Sequence, residues 1–417
     1  MDTQTQGHGD KPRTKYVVGM DAHSRKLAIS IWEWSDPWNP VLARNVKCFA
    51  ISEIKEVYEK YVDLDSITII EASLNSAMIK EVLFELGFRA EIVKADTIAD
   101  KERKRKVCDI KDAENLAKAY IKGDVEEFVW TPTAKYAKYR SIFFAYRDAC
   151  KEAQRNWNRI WCLCSANGAK LPEEVGEKFV KLVRETVRGI GLDEFTSERF
   201  KMMIADYEYY NERCEKLDRM IMEIVASEDE MIDLMQLPGF FYMSAFAVKT
   251  IVEDARRFSK GAKLAAYAGL AAQVNTSGEE EERAKKKGGT GKPLDTEGRR
   301  DLKYYFCEAG QTVLNKCCAS RLGKWGTHLI FSGKERNKVV CAVGRKLTVY
   351  SWHIMRGDPT PNREGEALFR RKMLRFCTSI GKRRLREMGY MARNDFADKH
   401  VKRIYANLPE LPKPRSN

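Results

Sequence analysis

The chain has 417 residues, of which 44% are hydrophobic and 32% charged, a composition typical of folded rather than disordered proteins. This length exceeds what one hydrophobic core usually serves, so we expect two or three domains. The formal net charge of +14 favours a polyanionic partner, because binding to phosphates releases condensed counterions. The polar N-terminus does not resemble a secretory signal, and no stretch approaches the roughly 18–20 apolar residues of a membrane span. We therefore expect a cytoplasmic protein without a membrane partner.

In that compartment the eleven cysteines should be reduced. Cys162 and Cys164 are two positions apart, and Cys317 and Cys318 are adjacent, so neither pair has the CxxC spacing typical of zinc ligands. Buried thiols are the favoured interpretation, and a zinc site is the alternative.

The first 125 residues alternate between strand and helix patterns. Short apolar runs predict strands over 16–20, 27–32, about 45–50, 67–70 and 90–93. Helical patterns cover 52–61 and 76–86, and another begins near 109. Hairpin strands followed by βα units indicate an α/β domain with a mixed sheet covered by helices.

Four acidic residues lie at the ends of these elements. Asp21 follows the first strand and Glu71 follows the fourth, while Asp109 and Asp112 lie three apart at the start of a helix and share one face. Carboxylates in such positions suit one or two Mg²⁺ ions (or Mn²⁺), which prefer oxygen ligands and bind phosphate oxygens. The alternative is structural, since an aspartate at a helix start also caps it.

Between about 134 and 235 the pattern becomes long α-helix. Apolar and aromatic residues from Phe200 to Ile224 follow a 3-4 heptad spacing, and the stretch from Tyr139 to Leu163 repeats it with Asn156 as a polar member. These helices could form an antiparallel hairpin within one chain or pair between two chains.

The last part of the chain is predicted to be mostly helical. Residues 237–357 combine helices with a loop rich in Gly and Lys, and 363–403 form a basic helical extension with interleaved aromatic residues. The charges of this extension indicate either a solvated helix face or contact with phosphates.

The order of strand-Asp, strand-Glu and Asp-x-x-Asp on a late helix resembles ribonuclease-H-like nucleases of the RuvC type. The segments GMDAHSRKLAISI, IEASLNSAM and KVCDIKDAENLAKAY are similar to those of the DEDD transposases of the insertion-sequence 110 family. The resemblance implies that Asp21, Glu71, Asp109 and Asp112 are catalytic metal ligands.

A second group of motifs carries the same resemblance over the C-terminal half. Leu237–Gly239 resembles a helix-hairpin-helix turn, RFSKGAKLAAYAGL (257–270) resembles a block of this family, and Ser277-Gly278 matches its serine-glycine pair in position. Residues 297–306 and 335–359 are similar to later blocks of the same family. The resemblance implies that Ser277 is a nucleophile that forms a phosphoserine ester with DNA, so that strands are rejoined without ATP.

Basic residues surround both predicted sites. Each basic segment could be a nucleic-acid clamp or a solvated loop, and we predict clamps because they adjoin the acids and the serine. The predicted nucleic-acid-binding residues are Lys101, Arg103, Lys104, Arg105, Lys106, Lys285, Lys286, Lys287, Lys292, Arg299, Arg300 and Lys303.

These inferences give four predicted domains. They are a RuvC-like domain (1–125), a helical coiled-coil or dimerisation region (126–235), a transposase domain with the serine (236–360) and a basic helical extension (361–417). The resemblance implies a prokaryotic, nucleoid-associated DNA recombinase that acts on donor and target DNA, is guided by a bridge RNA and assembles from homodimers into tetramers. Acids and serine would then meet in a composite site. The alternatives are a hydrolytic RuvC-like nuclease, an invertase without an RNA guide and a non-catalytic nucleic-acid-binding regulator.

Overall fold

The structure is a computed structural model. It describes residues 14–22, 26–36, 39–48, 52–73, 75–94, 109–125, 128–169, 179–189, 191–271, 298–358, 360 and 362–406. The contacts divide the chain into two compact units, Met1–Lys135 and Tyr136–Asn417. The predicted division into four domains stays a prediction.

The first unit is built on a five-stranded mixed sheet in the order β3-β2-β1-β4-β5. The pairs β1–β2 and β2–β3 are antiparallel, whereas the pairs β1–β4 and β4–β5 are parallel. The strands are β1 (Tyr16–Ala22), β2 (Leu27–Glu33), β3 (Val41–Cys48), β4 (Ser66–Glu71) and β5 (Arg89–Val93).

Helices cover both faces of this sheet. Helices α1 (Glu53–Tyr61) and α2 (Ser76–Glu85) contribute to the core on one face, and α3 (Asp109–Lys122) contributes to the core on the other. Because side chains alternate along a strand, Val18 and Met20 of β1 join the first core and Val17 joins the second. Burial on both faces explains why β1 and β4 are almost continuously apolar in sequence.

The predicted α/β character of this unit is confirmed, with differences at the ends of elements. The third strand was predicted near 45–50, but β3 begins at Val41 and pairs along β2 with a register shift beside Ile31. Its first four residues are exposed, so apolar periodicity could not reveal them. Asp21 and Glu71 were predicted to follow their strands, and both lie within them instead.

The second unit is helical in all its described secondary structure. None of the described helices is long and apolar enough to cross a membrane. The helices are α4 (Ala134–Ala166), α5 (Phe179–Gly189), α6 (Glu194–Ser227), α7 (Asp229–Leu234), α8 (Tyr242–Val252), α9 (Gly261–Tyr267), α10 (Arg300–Lys316), α11 (Arg321–Phe331), α12 (Arg336–Met355), α13 (Glu366–Ile380), α14 (Lys382–Glu387) and α15 (Arg393–Tyr405).

The long helices α4 and α6 form an antiparallel hairpin within one chain. The hydroxyl of Tyr139, near the start of α4, donates to Glu228, just beyond the end of α6, at 2.7 Å. Farther along, the thiols of Cys150 and Cys214 lie 3.2 Å apart. The heptad residues of both helices are buried or half-buried, so the periodicity identified the packed seam correctly. A pairing between chains is not needed to cover that seam.

One hydrophobic core joins helices α7 to α15 with parts of α4 and α6, and the basic C-terminal extension belongs to it. Helix α5 packs instead in a smaller core with other parts of α4 and α6. Phe369, Phe376 and Phe396 of this extension are fully buried. The ammonium of Lys372 donates to the carbonyl oxygens of Met235 and Leu237 at 2.8 and 3.0 Å. The extension is therefore built into the helical unit along its apolar faces.

Candidate functional site

The acids of the first unit share one face of the sheet. Met20 of β1 pairs with Ile70 of β4 in parallel register, so Asp21 and Glu71 are the next residues on neighbouring strands. Asp21 lies on the same face as Val17, and Glu71 lies on the same face as Ile69, because side chains alternate along strands. Val17 and Ile69 belong to the core beneath α3. Both acids therefore lie at the edge of that core, near the carboxyl ends of two parallel strands.

Helix α3 brings the other two acids to this face. Ala113 is fully buried, and Asp109 lies one turn before it on the same side of the helix. A Cβ atom added at Gly19 of β1 would lie only 1.9 Å from the carbonyl oxygen of Ala113. Only glycine permits this close approach of helix to strand, and the approach fixes the start of α3 beside the end of β1. Gly19 and the Ala113 that ends the Asp-x-x-Asp-Ala motif are thus packed directly against each other.

The burial of these carboxylates differs. Asp21 is only 3% exposed, while Glu71, Asp109 and Asp112 are half-buried. Moving a carboxylate out of water costs free energy that a fold recovers only through charged or hydrogen-bonding partners. Asp21 is thus the least exposed of the four carboxylates.

The donor set fits an oxygen-liganded divalent cation in its chemistry, since all four side chains are carboxylates. Within the described residues, however, no three His, Cys, Asp or Glu side chains are arranged as a group that could hold a metal ion. Binding would require the carboxylates to turn towards a common ion. The assignment of Mg²⁺ or Mn²⁺ to these acids stays a prediction.

The same face carries a polar network beside the acids. Asn45 of β3 donates to Glu114 of α3 at 2.8 Å, and the carboxylate of Glu114 lies 3.6 Å from Lys118. The ammonium of Lys118 lies 4.9 Å from the ring centre of Trp32. These contacts tie α3 to the edge of the sheet and provide an acid, Glu114, that already has structural partners.

In the second unit, the described residues that precede and follow the segment carrying Ser277 are in contact with each other. A Cβ at Gly298 would lie 2.2 Å from the backbone N and Cα of Gly269, which itself has φ +67°. The amide N–H of Arg299 donates to the carbonyl oxygen of Tyr267 at 2.7 Å. Two glycines in contact therefore hold together the residues before and after the segment.

Several arginines surround this junction. Arg140 donates to the carbonyl oxygens of Thr250 and Ile251 at the end of α8, at 3.2 and 2.6 Å. Burial lowers the pKa of Arg140, and the neighbouring charges of Arg299 and Arg257 lower it further. Arg140, Arg257 and Arg299 thus lie around Tyr267, with the carboxylates of Glu253 and Asp301 beside them.

The three basic residues at the start of α10 differ in their surroundings. Arg299 holds Asp301 with two hydrogen bonds of 3.1 and 2.6 Å, and this contact raises the pKa of Arg299. Burial would raise the pKa of Asp301, but the hydrogen bonds and charge of Arg299 hold it below its usual value. Arg300 is exposed and Lys303 is half-buried. Arg300 is thus the most accessible of the three for contact with nucleic acid.

The turn at Leu237–Gly239 is part of the core. A Cβ at Gly239 would lie 2.4 Å from the carbonyl oxygen of Ala309, and the amides of Leu237 and Phe240 donate within the turn region. The ammonium of Lys372 binds carbonyl oxygens on this same turn. Packing accounts for this turn, because the amides of Leu237 and Phe240 and the carbonyl oxygen of Leu237 already have partners.

The remaining predicted site residues lie outside the described residues. They are Ser277, Lys101, Arg103, Lys104, Arg105, Lys106, Lys285, Lys286, Lys287 and Lys292. Their roles stay predictions.

The comparison with known families bears on the segment around the serine. Residues 233–322 match the family model described as Transposase IS116/IS110/IS902 family. The match runs from α7 to the beginning of α11 and includes position 277. The chain thus resembles the insertion-sequence 110 transposases, as its motifs predicted, and the match supports a DNA transposase of an insertion sequence. Among curated proteins, none matches the chain.

The sequence patterns missed the arginines around Tyr267. Arg140 is on the hairpin helix α4, and Arg257 is in the short turn Ala255–Arg257, more than a hundred positions away. Arg257 follows Arg256 and begins the 257–270 block, but the pattern of charges along the chain does not indicate that Arg140 lies near it.

Proposed function

We propose that this chain is an insertion-sequence DNA transposase that cuts and rejoins DNA through a phosphoserine intermediate at Ser277. Its N-terminal unit would be a RuvC-like domain whose acids bind Mg²⁺ or Mn²⁺. A bridge RNA would select the donor and target DNA. Insertion-sequence transposase activity is supported by the family match at residues 233–322.

One structural observation carries the proposal for the acidic site. Asp21, Glu71 and the start of α3 occupy the same face and the same end of the sheet, although they are far apart in sequence. Acids on the first strand, the fourth strand and a later helix also follow the order that resemblance to RuvC-type nucleases implies. A structural role for four acids would not require this common location.

The chemistry assigns a task to each carboxylate. Asp21, Glu71, Asp109 and Asp112 would supply the oxygen ligands, and the low exposure of Asp21 would keep its charge little screened by water. A bound divalent ion supplies charge neutralisation at the phosphate and eases loss of the proton from an attacking hydroxyl. Because the ligands come from strands and a helix packed on Gly19, they would need little backbone reorganisation to act.

The serine would perform the covalent step. Its Oγ attacks phosphorus and loses its proton to a base, a Ser–O–P bond forms, one P–O bond of the DNA backbone breaks and the leaving hydroxyl takes up a proton. Rejoining is the reverse attack by a DNA hydroxyl. The arginines around Tyr267 support this role, because guanidinium groups are well suited to bind phosphate oxygens.

The proposed partners are donor and target DNA, a bridge RNA and further copies of the chain in a dimer or tetramer. The net charge of +14 and the basic segments support binding to nucleic acid. The exposed position of Arg300 at the start of α10 is consistent with a phosphate contact.

A recombination assay tests the proposal. Purified protein with donor DNA, target DNA and the noncoding RNA transcribed from the flank of the element should give joined products with Mg²⁺ or Mn²⁺. It should give none in excess chelator. Full exchange in chelator would overturn the metal site, and sequence-specific exchange without RNA would favour an unguided invertase. Cut but unjoined DNA would favour the hydrolytic nuclease.

A further inference from the structure

Two adjoining cavities lie between α11 and α12 in the second unit. Their volumes are about 340 and 240 Å³, and they share Trp325, Lys346 and Tyr350 in their linings. The volume of the larger cavity lies near the lower end of the range for small-ligand pockets, roughly 300–1,000 Å³. Both aromatic side chains are only half-buried, so parts of their rings remain accessible beside the cavities.

The charges of these linings are all of one sign. Arg345 and Lys346 line the larger cavity, Arg321 and Lys346 line the smaller one, and no acidic side chain belongs to either lining among the described residues. Arg321 is also the first residue of α11, whose N-terminal end adds a positive partial charge. Such a site favours an anionic ligand.

A lysine and an aromatic ring are in contact where the two cavities share their lining. The ammonium of Lys346 lies 4.5 Å from the ring centre of Trp325. Burial raises the pKa of Tyr350, and the charge of Arg321 and a hydrogen bond with Asn362 oppose that rise. Each aromatic ring thus has a polar or charged neighbour that also lines a cavity, Lys346 for Trp325 and Asn362 for Tyr350.

We infer that this pocket, formed by Trp325, Tyr350, Lys346, Arg345 and Arg321, binds an unpaired nucleotide of single-stranded nucleic acid. A nucleotide combines a flat base, which stacks on indole or phenol rings, with a phosphate, which pairs with Lys and Arg. A free inorganic anion would use the cations but leave the aromatic rings unused, and a duplex would keep its bases stacked inside the helix. The inference shares with the proposed function only the premise that the chain binds nucleic acid.

A purely structural role for these residues explains less. A Lys–Trp contact at an exposed site contributes only about 0.5–1 kcal/mol, and it would not require Arg321 and Arg345 around the same two cavities. The aromatic residues are 25 positions apart on different helices, so their juxtaposition results from the packing of α11 against α12.

Binding of labelled oligo(dT), oligo(U) and a DNA duplex, measured by fluorescence anisotropy on the full chain, tests the inference. Trp325→Ala should weaken binding to single strands by about 5- to 150-fold, corresponding to the loss of one stacked base, with duplex affinity unchanged. Trp325→Phe should recover much of the loss. Lys346→Gln should lower the slope of log affinity against log salt by about 0.7, as expected for one phosphate contact to a single strand.

Two matched variants provide controls. Phe331→Ala removes an 87% exposed aromatic side chain from the same helix outside the pocket, and Lys338→Gln removes a charge from α12 outside the pocket. Both should bind as wild type does.

The two single strands distinguish the source of the nucleotide. If Trp325→Ala weakens the binding of oligo(U) alone, the ligand is RNA, and if it weakens the binding of oligo(dT) alone, the ligand is a displaced DNA strand. An equal loss of affinity for both strands indicates recognition of the base plane that they share. Wild-type binding of both strands by Trp325→Ala and Lys346→Gln would overturn the inference, as would an equal loss of duplex binding. Failure of recombination with intact single-strand binding would contradict the proposed function but leave this inference standing.

Discussion

Both units contain a close backbone contact made possible by glycine, one beside the four acids and one beside the segment that carries Ser277. In the first unit, Gly19 lets α3 approach the sheet, and four acids follow from that single contact because they lie on regular strands and a helix. In the second unit, the contact of Gly269 with Gly298 fixes the two ends of the segment that carries Ser277. Regular packing thus positions the four acids themselves, whereas around the serine it is the residues on either side of the segment that are held by a packing contact.

This difference indicates how each site should respond to mutation. A site made of strand and helix positions is preorganised by the core, so its chemistry can be removed without disturbing its shape. Substitutions at Gly269 or Gly298 should instead disturb the backbone contact between the residues that precede and follow the serine segment. The following experiments separate these two behaviours.

The largest effect is expected from the acids. Asp21→Asn, Glu71→Gln, Asp109→Asn and Asp112→Asn should each lower recombination by about 100- to 1,000-fold or more, because each removes a charge from the proposed metal site. The free energy of unfolding in urea should change by less than about 1 kcal/mol, within the range of substitutions that leave packing intact. Initial rates of product formation and urea unfolding curves measure the two quantities.

Glu114→Gln is the matched control for this experiment. Glu114 lies on the same helix and accepts a hydrogen bond from Asn45, but it is not among the four proposed ligands. It should keep nearly full activity. Equal loss of activity in Glu114→Gln, or full activity in Asp21→Asn, would mean that the shared face does not define the site.

The glycine contacts should produce a loss of stability. Gly19→Ala would place a Cβ 1.9 Å from the Ala113 carbonyl oxygen, and Gly298→Ala would place one 2.2 Å from Gly269. Overpacking of this kind costs about 1–3 kcal/mol, which urea unfolding can measure. Gly189→Ala, where nothing lies within 4 Å, should instead stabilise the chain by about 0.4–1 kcal/mol through the entropy of the unfolded state. Equal effects at all three positions would contradict the packing contacts.

The last prediction concerns the stability of the second unit as a function of pH. Burial, together with the charges of Arg403 and Lys399, lowers the pKa of His400 from 6.5 to about 4, although Asp229 opposes the shift. Because the folded pKa lies below the unfolded value, the unfolded state binds the proton first. The contribution of His400 to the free energy of unfolding is therefore fully present above about pH 6.5, and it is lost as the pH falls towards the folded pKa.

By about pH 5 this loss should amount to about 2 kcal/mol relative to His400→Leu, which cannot titrate at this position. Urea unfolding of both proteins across this range measures the difference directly. His328→Leu, at an exposed histidine, should follow the wild-type profile. Parallel profiles for wild type and His400→Leu would show that His400 titrates normally in the fold.

Much of the fold could be predicted from sequence where periodicity reflects burial. The buried strands β1 and β4 are nearly continuous apolar runs, and the heptad spacing of Phe200 to Ile224 identified the inward side of α6. The acids could be proposed because strand ends and a helix start are visible in a pattern. The exposed beginning of β3 could not be located, because an edge strand lacks the apolar alternation that marks buried strands.

Contacts between distant segments could not be predicted from these patterns. The approach of Gly19 to Ala113, the arginines around Tyr267 and the pocket between Trp325 and Tyr350 all depend on tertiary packing. No local propensity encodes such distances. The sequence resemblance identified Gly19 and Ala113 as motif residues, and the structure supplies the physical reason for their pairing.

Trapping of a covalent intermediate tests the central claim most directly. A suicide DNA substrate, whose cut strand cannot be rejoined, should leave wild-type protein linked to a strand end, with the ester located at Ser277 by mass spectrometry. Ser277→Ala should form no adduct, and Asp21→Asn should lose it while keeping the hydroxyl, because the acids and the serine serve one reaction. Free DNA ends with near-normal cleavage by Ser277→Ala, or an ester on another residue, would contradict the account.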